Sequence, residues 1–475
     1  MDTLIIEKRN EVYITVDCDP NIQRELSEFF TFYVPGYKFM PAFRNRMWDG
    51  KIRLYSQKTK EIYFGLYPYI RAFAEERGYE IVTGKEVDIN NKVNKDVVTK
   101  FSNSLGQKFE ARDYQIDAIY HSLKFNRALL LSPTASGKSF IIYSLIRYYS
   151  HLIKDNPNNR VLLIVPTTSL VEQMYSDFQS YGWNVKKNCH RLYSGYSNQT
   201  DKKVLISTWQ SLYKLPKKYF EQFGCVFGDE AHLFKSKSLT EIMTKLVDCK
   251  YRIGLTGTLD GAQTHKLVLE GLFGAVNKVT STRKLMDKKQ LSNLVVRCLI
   301  LKHTEENCKM VSKGKYQDEI DYLVSSKSRQ NFIKNLALKL EGNTLVLFQL
   351  VEKHGKNLHE IIKEKADNGR KVFYIFGGVE ADEREAIRGI VEKEKNAIIV
   401  ASYGTFSTGV NIKNLHSIGS GLRLGDNKVN ATLYDIADDL TYKSKENFTL
   451  KHFQERINIY TEEEFDYEMH NIELK

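Results

Sequence analysis

Leu131-Ser132-Pro133-Thr134-Ala135-Ser136-Gly137-Lys138-Ser139 follows the apolar run Ala128-Leu129-Leu130-Leu131 and precedes a stretch, 140–149, with helical spacing. Strand, turn and helix in that order are what a phosphate-cradling loop requires. Backbone N–H groups at the helix start would receive phosphate oxygens, Lys138 would reach the β and γ oxygens, and the Ser139 hydroxyl would ligate Mg²⁺. Thr134, Ala135, Ser136 and Gly137 form the turn itself. Ser132 stands where the general G-x-x-x-x-G-K-[ST] pattern has its first glycine. The match is incomplete, and a chance Gly-Lys-Ser competes with it until a second element appears.

The second element lies further along, where the apolar run Cys225-Val226-Phe227-Gly228 ends in Asp229-Glu230-Ala231-His232. An acidic pair at the C-terminal end of a parallel strand sits where such a sheet opens toward bound phosphates. Asp229 would hold the metal, usually through water, and Glu230 would orient or deprotonate the attacking water. Alone, Asp-Glu is more often a solvated surface pair. Together with the loop at 131–139 it reads as a nucleotide-hydrolysing site.

Outward from these two elements the chain alternates short apolar runs with amphipathic helices. Val161-Leu162-Leu163-Ile164-Val165 and Val204-Leu205-Ile206-Ser207 belong to the first block. Thr344-Leu345-Val346-Leu347-Phe348, Val372-Phe373-Tyr374-Ile375 and Ala397-Ile398-Ile399-Val400 belong to a second. Near-continuous apolar runs are how strands buried on both faces of a parallel sheet read, so the fold class is α/β with two such lobes. Residues 277–330, charged and less patterned, are expected to connect them. Residues 1–100 read as a small α+β domain, with strand-like Val12-Tyr13-Ile14-Thr15-Val16 and Lys51-Ile52-Arg53-Leu54-Tyr55 and helical spacing at 21–29 and 69–77; the polar stretch 86–95 reads as a linker. The expected division is 1–100, 101–280 and 281–475, the last ending in a charged tail (443–475) expected to be helical.

The 475 residues suffice for more than one core, and 42% hydrophobic with 27% charged residues is an ordinary globular balance. A formal charge of +12 favours a polyanionic partner, because neutralising phosphates releases condensed counterions. Six scattered cysteines without a C-x-x-C pair fit free thiols in a reducing compartment and offer no zinc site. The first residues lack the apolar core of a signal peptide, and no apolar run approaches the ~20 residues that cross a bilayer. A cytoplasmic protein without a membrane partner is expected.

The two elements resemble motifs I and II of superfamily 2 helicases. Arg112-Asp113-Tyr114-Gln115 resembles the R-x-Y-Q element that precedes motif I, Val165-Pro166-Thr167-Thr168 motif Ia, and Ser207-Thr208-Trp209-Gln210 the second strand-contacting motif. Leu255-Thr256-Gly257-Thr258 resembles motif III, and Ala401-Ser402-Tyr403-Gly404-Thr405-Phe406-Ser407-Thr408-Gly409-Val410 motif V. A closer likeness, over nearly the whole chain, is to the UvsW recombination helicases of tailed phages. The resemblance implies two RecA-like lobes and an N-terminal DNA-binding domain. It implies ATP and Mg²⁺ as cofactors, with Arg112, Gln115 and Gly409 in the nucleotide site, Gln115 reading the adenine. Thr256 and Thr258 would couple hydrolysis to movement, and Thr168, Thr208, Ser407 and Thr408 would touch the sugar-phosphate backbone, contacts that carry no sequence information. The implied activity is that of a DNA-stimulated, ATP-driven motor, a monomer, that remodels forks, Holliday junctions and R-loops in recombination and repair.

Between Gly36 and Lys60 seven basic residues face Asp49 alone, with Tyr37, Phe39, Phe43, Trp48 and Tyr55 interleaved. Basic chains can follow phosphates while a ring stacks on bases. Trp48 and several other rings suit the core of a small domain; Arg44, Arg46 and Lys51 suit DNA contact.

Motif VI of the family is Q-x-x-G-R-x-x-R. The best match is His416-Ser417-Ile418-Gly419-Ser420-Gly421-Leu422-Arg423, which keeps only Arg423 as a catalytic arginine and puts Ser420 at the other arginine position. The interval from Gly409 is also too short for the strand, loop and helix that should separate motifs V and VI. Engineered deletion, an omitted loop and natural loss all account for it, and the intact flanks favour the first two. Because an arginine finger is worth ~10³–10⁵ in rate, a chain truly shortened here would bind ATP and DNA but hydrolyse poorly. A strand-annealing protein with an impaired motor, an RNA helicase and the motor of a restriction nuclease are the competing functions; for the last, no metal-nuclease constellation is visible.

Overall fold

The computed structural model describes residues 2–133, 135–259, 262–291, 293–367, 369–378, 387, 390, 393–403, 415–417 and 430–474. The chain divides into two compact units, Met1–Thr280 and Ser281–Lys475.

In the first unit seven parallel strands lie in the order Val276–Lys278, Arg127–Leu131, Tyr251–Thr256, Phe223–Asp229, Arg160–Val165, Val204–Thr208, Cys189–Leu192. The continuous apolar runs are explained by burial on both faces. Ala128, Leu130, Val161, Leu163, Val204, Ile206, Phe227 and Ile253 enter one core, whereas Leu129, Leu162, Ile164, Leu205 and Val226 enter the other. This alternation is the two-residue period of a strand sorting side chains to opposite faces.

The second core is shared with the N-terminal residues. There Glu61–Tyr63, Tyr13–Asp17, Thr3–Lys8 and Glu80–Thr83 form a four-stranded mixed sheet, and Pro20–Phe29 and Tyr67–Arg77 are helices. Leu4, Ile6, Ile14, Leu26, Ile70 and Phe73 belong to the same apolar cluster as Leu129 and Val226. Polar contacts accompany that seam: Arg127 Nη2 donates to the Glu11 carboxylate at 2.8 Å, and Tyr69 donates to Glu270 at 2.6 Å. Gly65 has to be glycine here, since a Cβ would lie 1.9 Å from the Glu270 carbonyl oxygen.

The second unit is another parallel seven-stranded sheet, in the order Val372–Ile375, Ile398–Ser402, Asn343–Phe348, Leu415–Ser417, Asn430–Asp439, Asn293–Lys302, Asp466–Glu473. The stretch 277–330 holds the division between the two units, at Thr280 and Ser281, but most of it is regular structure: the ten-residue inner strand Asn293–Lys302 and the helices Glu305–Val311 and Tyr316–Ser325. One expectation is corrected. The tail is only partly helical, since Phe448–Glu462 is followed by the strand Asp466–Glu473, which pairs in parallel with Asn293–Lys302. Among the described residues no helix is long and apolar enough to cross a membrane, and all six cysteines are unpaired.

Candidate active site

The loop after Arg127–Leu131 runs into the helix Lys138–Leu152. Ala135 (φ 63°) and Gly137 (φ 82°) both have left-handed backbone, and alternation of hand is how successive N–H groups form an anion-binding concavity. At Gly137 an added Cβ would also lie 2.3 Å from Gln115 Nε2, so the Gln115 amide would have to give way. Ser132, the departure from the glycine pattern, has a structural account: its buried hydroxyl lies 2.7 Å from that of Ser136, which also reaches the Pro133 carbonyl at 2.6 Å. The pair ties the two ends of the turn together. Thr134 lies outside the described residues.

Gln115 packs beneath this loop. Its Nε2 donates to the Ser136 carbonyl at 2.9 Å, and its Oε1 accepts the Arg112 N–H at 2.9 Å. The Arg112 guanidinium donates to the Tyr114 hydroxyl, which donates in turn to the Ser136 carbonyl. The R-x-Y-Q element thus supports the turn through three of its residues, including Tyr114, whose role sequence reasoning missed.

Lys138 Nζ is 3.1 Å from Glu230 Oε1, so the loop at 131–139 and the acidic pair meet. Glu230 adopts left-handed backbone (φ 50°, ψ 51°) at the strand end. From there the contacts continue into the Thr256–Thr258 segment. His232 Nδ1 lies 3.4 Å from Glu230 Oε2 and 2.9 Å from Thr256 Oγ1. Thr256 Oγ1 also lies 2.8 Å from the Thr258 carbonyl; a hydroxyl that donates there would accept from a His232 ring protonated on Nδ1. His232 bridges two carriers of chemistry and was not assigned a role from sequence.

Asp229 is buried, and its Oδ1 has no hydrogen-bond partner. Burial raises its pKa to about 6; the Lys138 ammonium opposes that rise and Glu230 adds to it. The Ser139 hydroxyl lies 2.8 Å from that of Tyr181, at the end of the helix Thr168–Ser180. Nothing in the sequence between them signals this contact.

The remaining expected contacts lie elsewhere. Thr168 is exposed at its helix start, on the strand end beside that of Thr208. Thr208 itself is 4% exposed, with its hydroxyl 3.2 Å from Ser211; Gln210 is the exposed residue of that run. Arg44 and Arg46 are exposed and Lys51 half-buried on an arm that leaves and rejoins the small ribbon of Thr31–Tyr33 with Lys51–Arg53. Ser407, Thr408, Gly409 and Arg423 lie outside the described residues.

The family model described as DNA helicase UvsW, N-terminal matches residues 6–84, and that described as Type III restriction enzyme, res subunit matches residues 108–261. The ATP-dependent DNA helicase uvsW of Enterobacteria phage T4 is 33% identical over 500 aligned positions that cover 97% of this chain and 98% of the relative. The crystal structure of T4 UvsW matches at 31% identity and a TM-score of 0.54, covering 100% of both chains. The Type ISP restriction-modification enzyme LlaBIII, at 15% identity and a TM-score of 0.54 over 84% of this chain and 34% of its own, shares the fold. The shared core, the loop that meets Glu230 through Lys138, and a likeness spanning both chains agree: this protein belongs to the UvsW family of ATP-dependent DNA helicases.

Proposed function

We propose that this chain is a DNA-stimulated ATPase that translocates on DNA and remodels branched substrates such as forks, Holliday junctions and R-loops, as a monomer in the host cytoplasm. The observation that carries the reading is the continuous path Lys138–Glu230–His232–Thr256–Thr258. It links the group that meets phosphate oxygens to the segment that transmits hydrolysis.

Mg²⁺ fits this site: Asp229 Oδ1 is a buried carboxylate oxygen lacking a partner, and Ser139 opens the adjoining helix. When bound, the cation would neutralise charge on the β and γ phosphates. The chain's own groups do the rest. Lys138 leaves Glu230 for a phosphate oxygen, and the freed Glu230 carboxylate takes the proton of the attacking water. His232 senses that exchange and passes it to Thr256. Gln115 selects adenine while holding the Ser136 carbonyl. Thr168 and Gln210, exposed at neighbouring strand ends, replace the expected Thr168–Thr208 pair as backbone contacts, and Arg44, Arg46 and Lys51 bind phosphates from the N-terminal arm.

Weak hydrolysis is a second reading, favoured by Ser420 and by an alignment longer than this 475-residue chain, which means the T4 relative carries segments absent here. One assay addresses both. Turnover is measured with fork, four-way junction, R-loop and linear duplex. Stimulation greatest with branched DNA supports the motor, whereas the same low rate with every DNA identifies a binding protein.

A further inference from the structure

Resting on the reading that the N-terminal arm binds DNA, we infer that the arm is a receptor for unpaired nucleotides, and so selects branch points over continuous duplex. The arm presents large apolar side chains to solvent. Met47 is 81% exposed and Phe39 76% exposed, a placement that leaves apolar surface in water unless a partner covers it.

The arm also holds an open pocket of about 620 Å³ lined by Lys38, Phe43, Arg44, Arg46, Met47 and Trp48, with Asp49 at its side. Its rings are held in place. Tyr37 stacks on Tyr33 and takes Phe43 edge-on, each at 4.7 Å between centroids, and Trp48 Nε1 donates to the Lys51 carbonyl at 2.9 Å. The one acidic residue of the pocket is taken up by Arg53. Arg46 has no ion-pair partner among the described residues, so the pocket keeps a net positive charge.

A partner for this surface must carry negative charge and also offer flat apolar faces. Continuous duplex supplies only the first, because its base faces are stacked on one another. An unpaired nucleotide supplies both: the phosphate can meet Arg44 and Arg46, and the base face can meet Met47 and the rings. Unpaired nucleotides concentrate where duplexes branch, so such a receptor would locate the motor at a junction without reading sequence.

The test compares three full-length proteins: the parent, Phe39→Ala with Met47→Ala, and Arg44→Ala with Arg46→Ala. Each binds, by fluorescence anisotropy competition, either a fork with unpaired arms or a relaxed closed circular duplex, which has neither ends nor gaps. Phe39 and Met47 project into solvent, so their truncation leaves no cavity to unfold the domain. We expect the apolar pair to lower fork affinity about tenfold, the worth of roughly one stacked base, with the circle changed less than twofold. The arginine pair should weaken both. Equal loss on both DNAs by the apolar pair, or no loss on either, overturns the inference while leaving the arm a DNA contact. Unchanged binding by the arginine variant overturns the underlying reading as well. Binding to phosphatidylserine vesicles that depends on Phe39 and Met47 would instead make the patch membrane-seeking and also overturn it.

Discussion

Lys138 and Glu230 neutralise each other across 3.1 Å in the nucleotide site. On the proposed reading the ammonium would move to a phosphate oxygen and the carboxylate to water, so nucleotide entry would separate the pair and free both groups at once. Replacing Glu230 by Gln keeps an oxygen for Lys138 but removes the base. Single-turnover hydrolysis should fall by about 10²-fold or more, while binding of a fluorescent ATP analogue is retained or tightened. Lys138→Ala should abolish hydrolysis and spare DNA binding. Turnover near the parent rate in either variant removes that residue from the chemistry.

Asp229 carries a cost in the folded protein, as a buried carboxylate whose Oδ1 has no hydrogen-bond partner. Its pKa is raised to about 6 by burial, so the folded protein holds this proton more tightly than the unfolded chain does. The sign follows: folding stability falls as pH rises from the ordinary carboxylate range to about 6, then levels off. Asp229→Asn removes the penalty. Thermal melts should show the variant more stable than the parent at pH 8, with a smaller gain at pH 5, and ATP turnover should be lost. A variant less stable than the parent at pH 8 contradicts this account.

What the sequence made legible divides along physical lines. Strands such as Arg160–Val165 and Phe223–Asp229 announce themselves because burial on both faces requires continuous apolar residues. The approach of Lys138 to Glu230 was readable because parallel strands bring their C-terminal ends to one edge. Asp466–Glu473 was not readable: it is a sheet edge, almost wholly exposed, held by backbone pairing that leaves no hydropathy signature. Asn293–Lys302 was obscured by its charged surroundings. That Thr208 is buried and Gln210 exposed was not readable either, because a motif gives the segment that faces a ligand, not which side chain of it points outward. The Ser139–Tyr181 and Glu11–Arg127 contacts join residues 42 and 116 positions apart, beyond the reach of local pattern.

Arg127 begins the strand that ends at the phosphate loop, and Glu11 grips it through both backbone carbonyl (2.7 Å) and carboxylate (2.8 Å). Burial would raise the Glu11 pKa, but Arg127 and Lys8 outweigh it and hold it below the ordinary range. This pair therefore contributes stability above the ordinary carboxylate pKa, lost as pH falls through the depressed value. Glu11→Gln strands a buried guanidinium and should cost about 3 kcal/mol at pH 7, with the gap to the parent closing in acid. Melting curves from pH 7 to pH 3 check both halves. A gap independent of pH would mean that Glu11 acts by shape rather than charge.

Glu319 secures the C-terminal helix from outside it. Its carboxylate, 2% exposed by residue, accepts from Asn447 Nδ2 at 2.8 Å, Phe448 N at 2.9 Å, and Thr449 N and Oγ1 at 2.7 Å each. Two of these donors are backbone N–H groups at the start of Phe448–Glu462, which have no partner within their own helix. A carboxylate there also answers the helix dipole. Glu319→Ala leaves several buried donors unsatisfied at about 1–3 kcal/mol each, more than a single exposed helix can recover by fraying. Hydrogen–deuterium exchange should therefore accelerate across 447–462 and the following strand 466–473, while protection of the Lys138–Leu152 helix stays as in the parent. Unchanged exchange at 447–462 would show that Phe453 and Tyr460, buried on the same helix, hold it without Glu319.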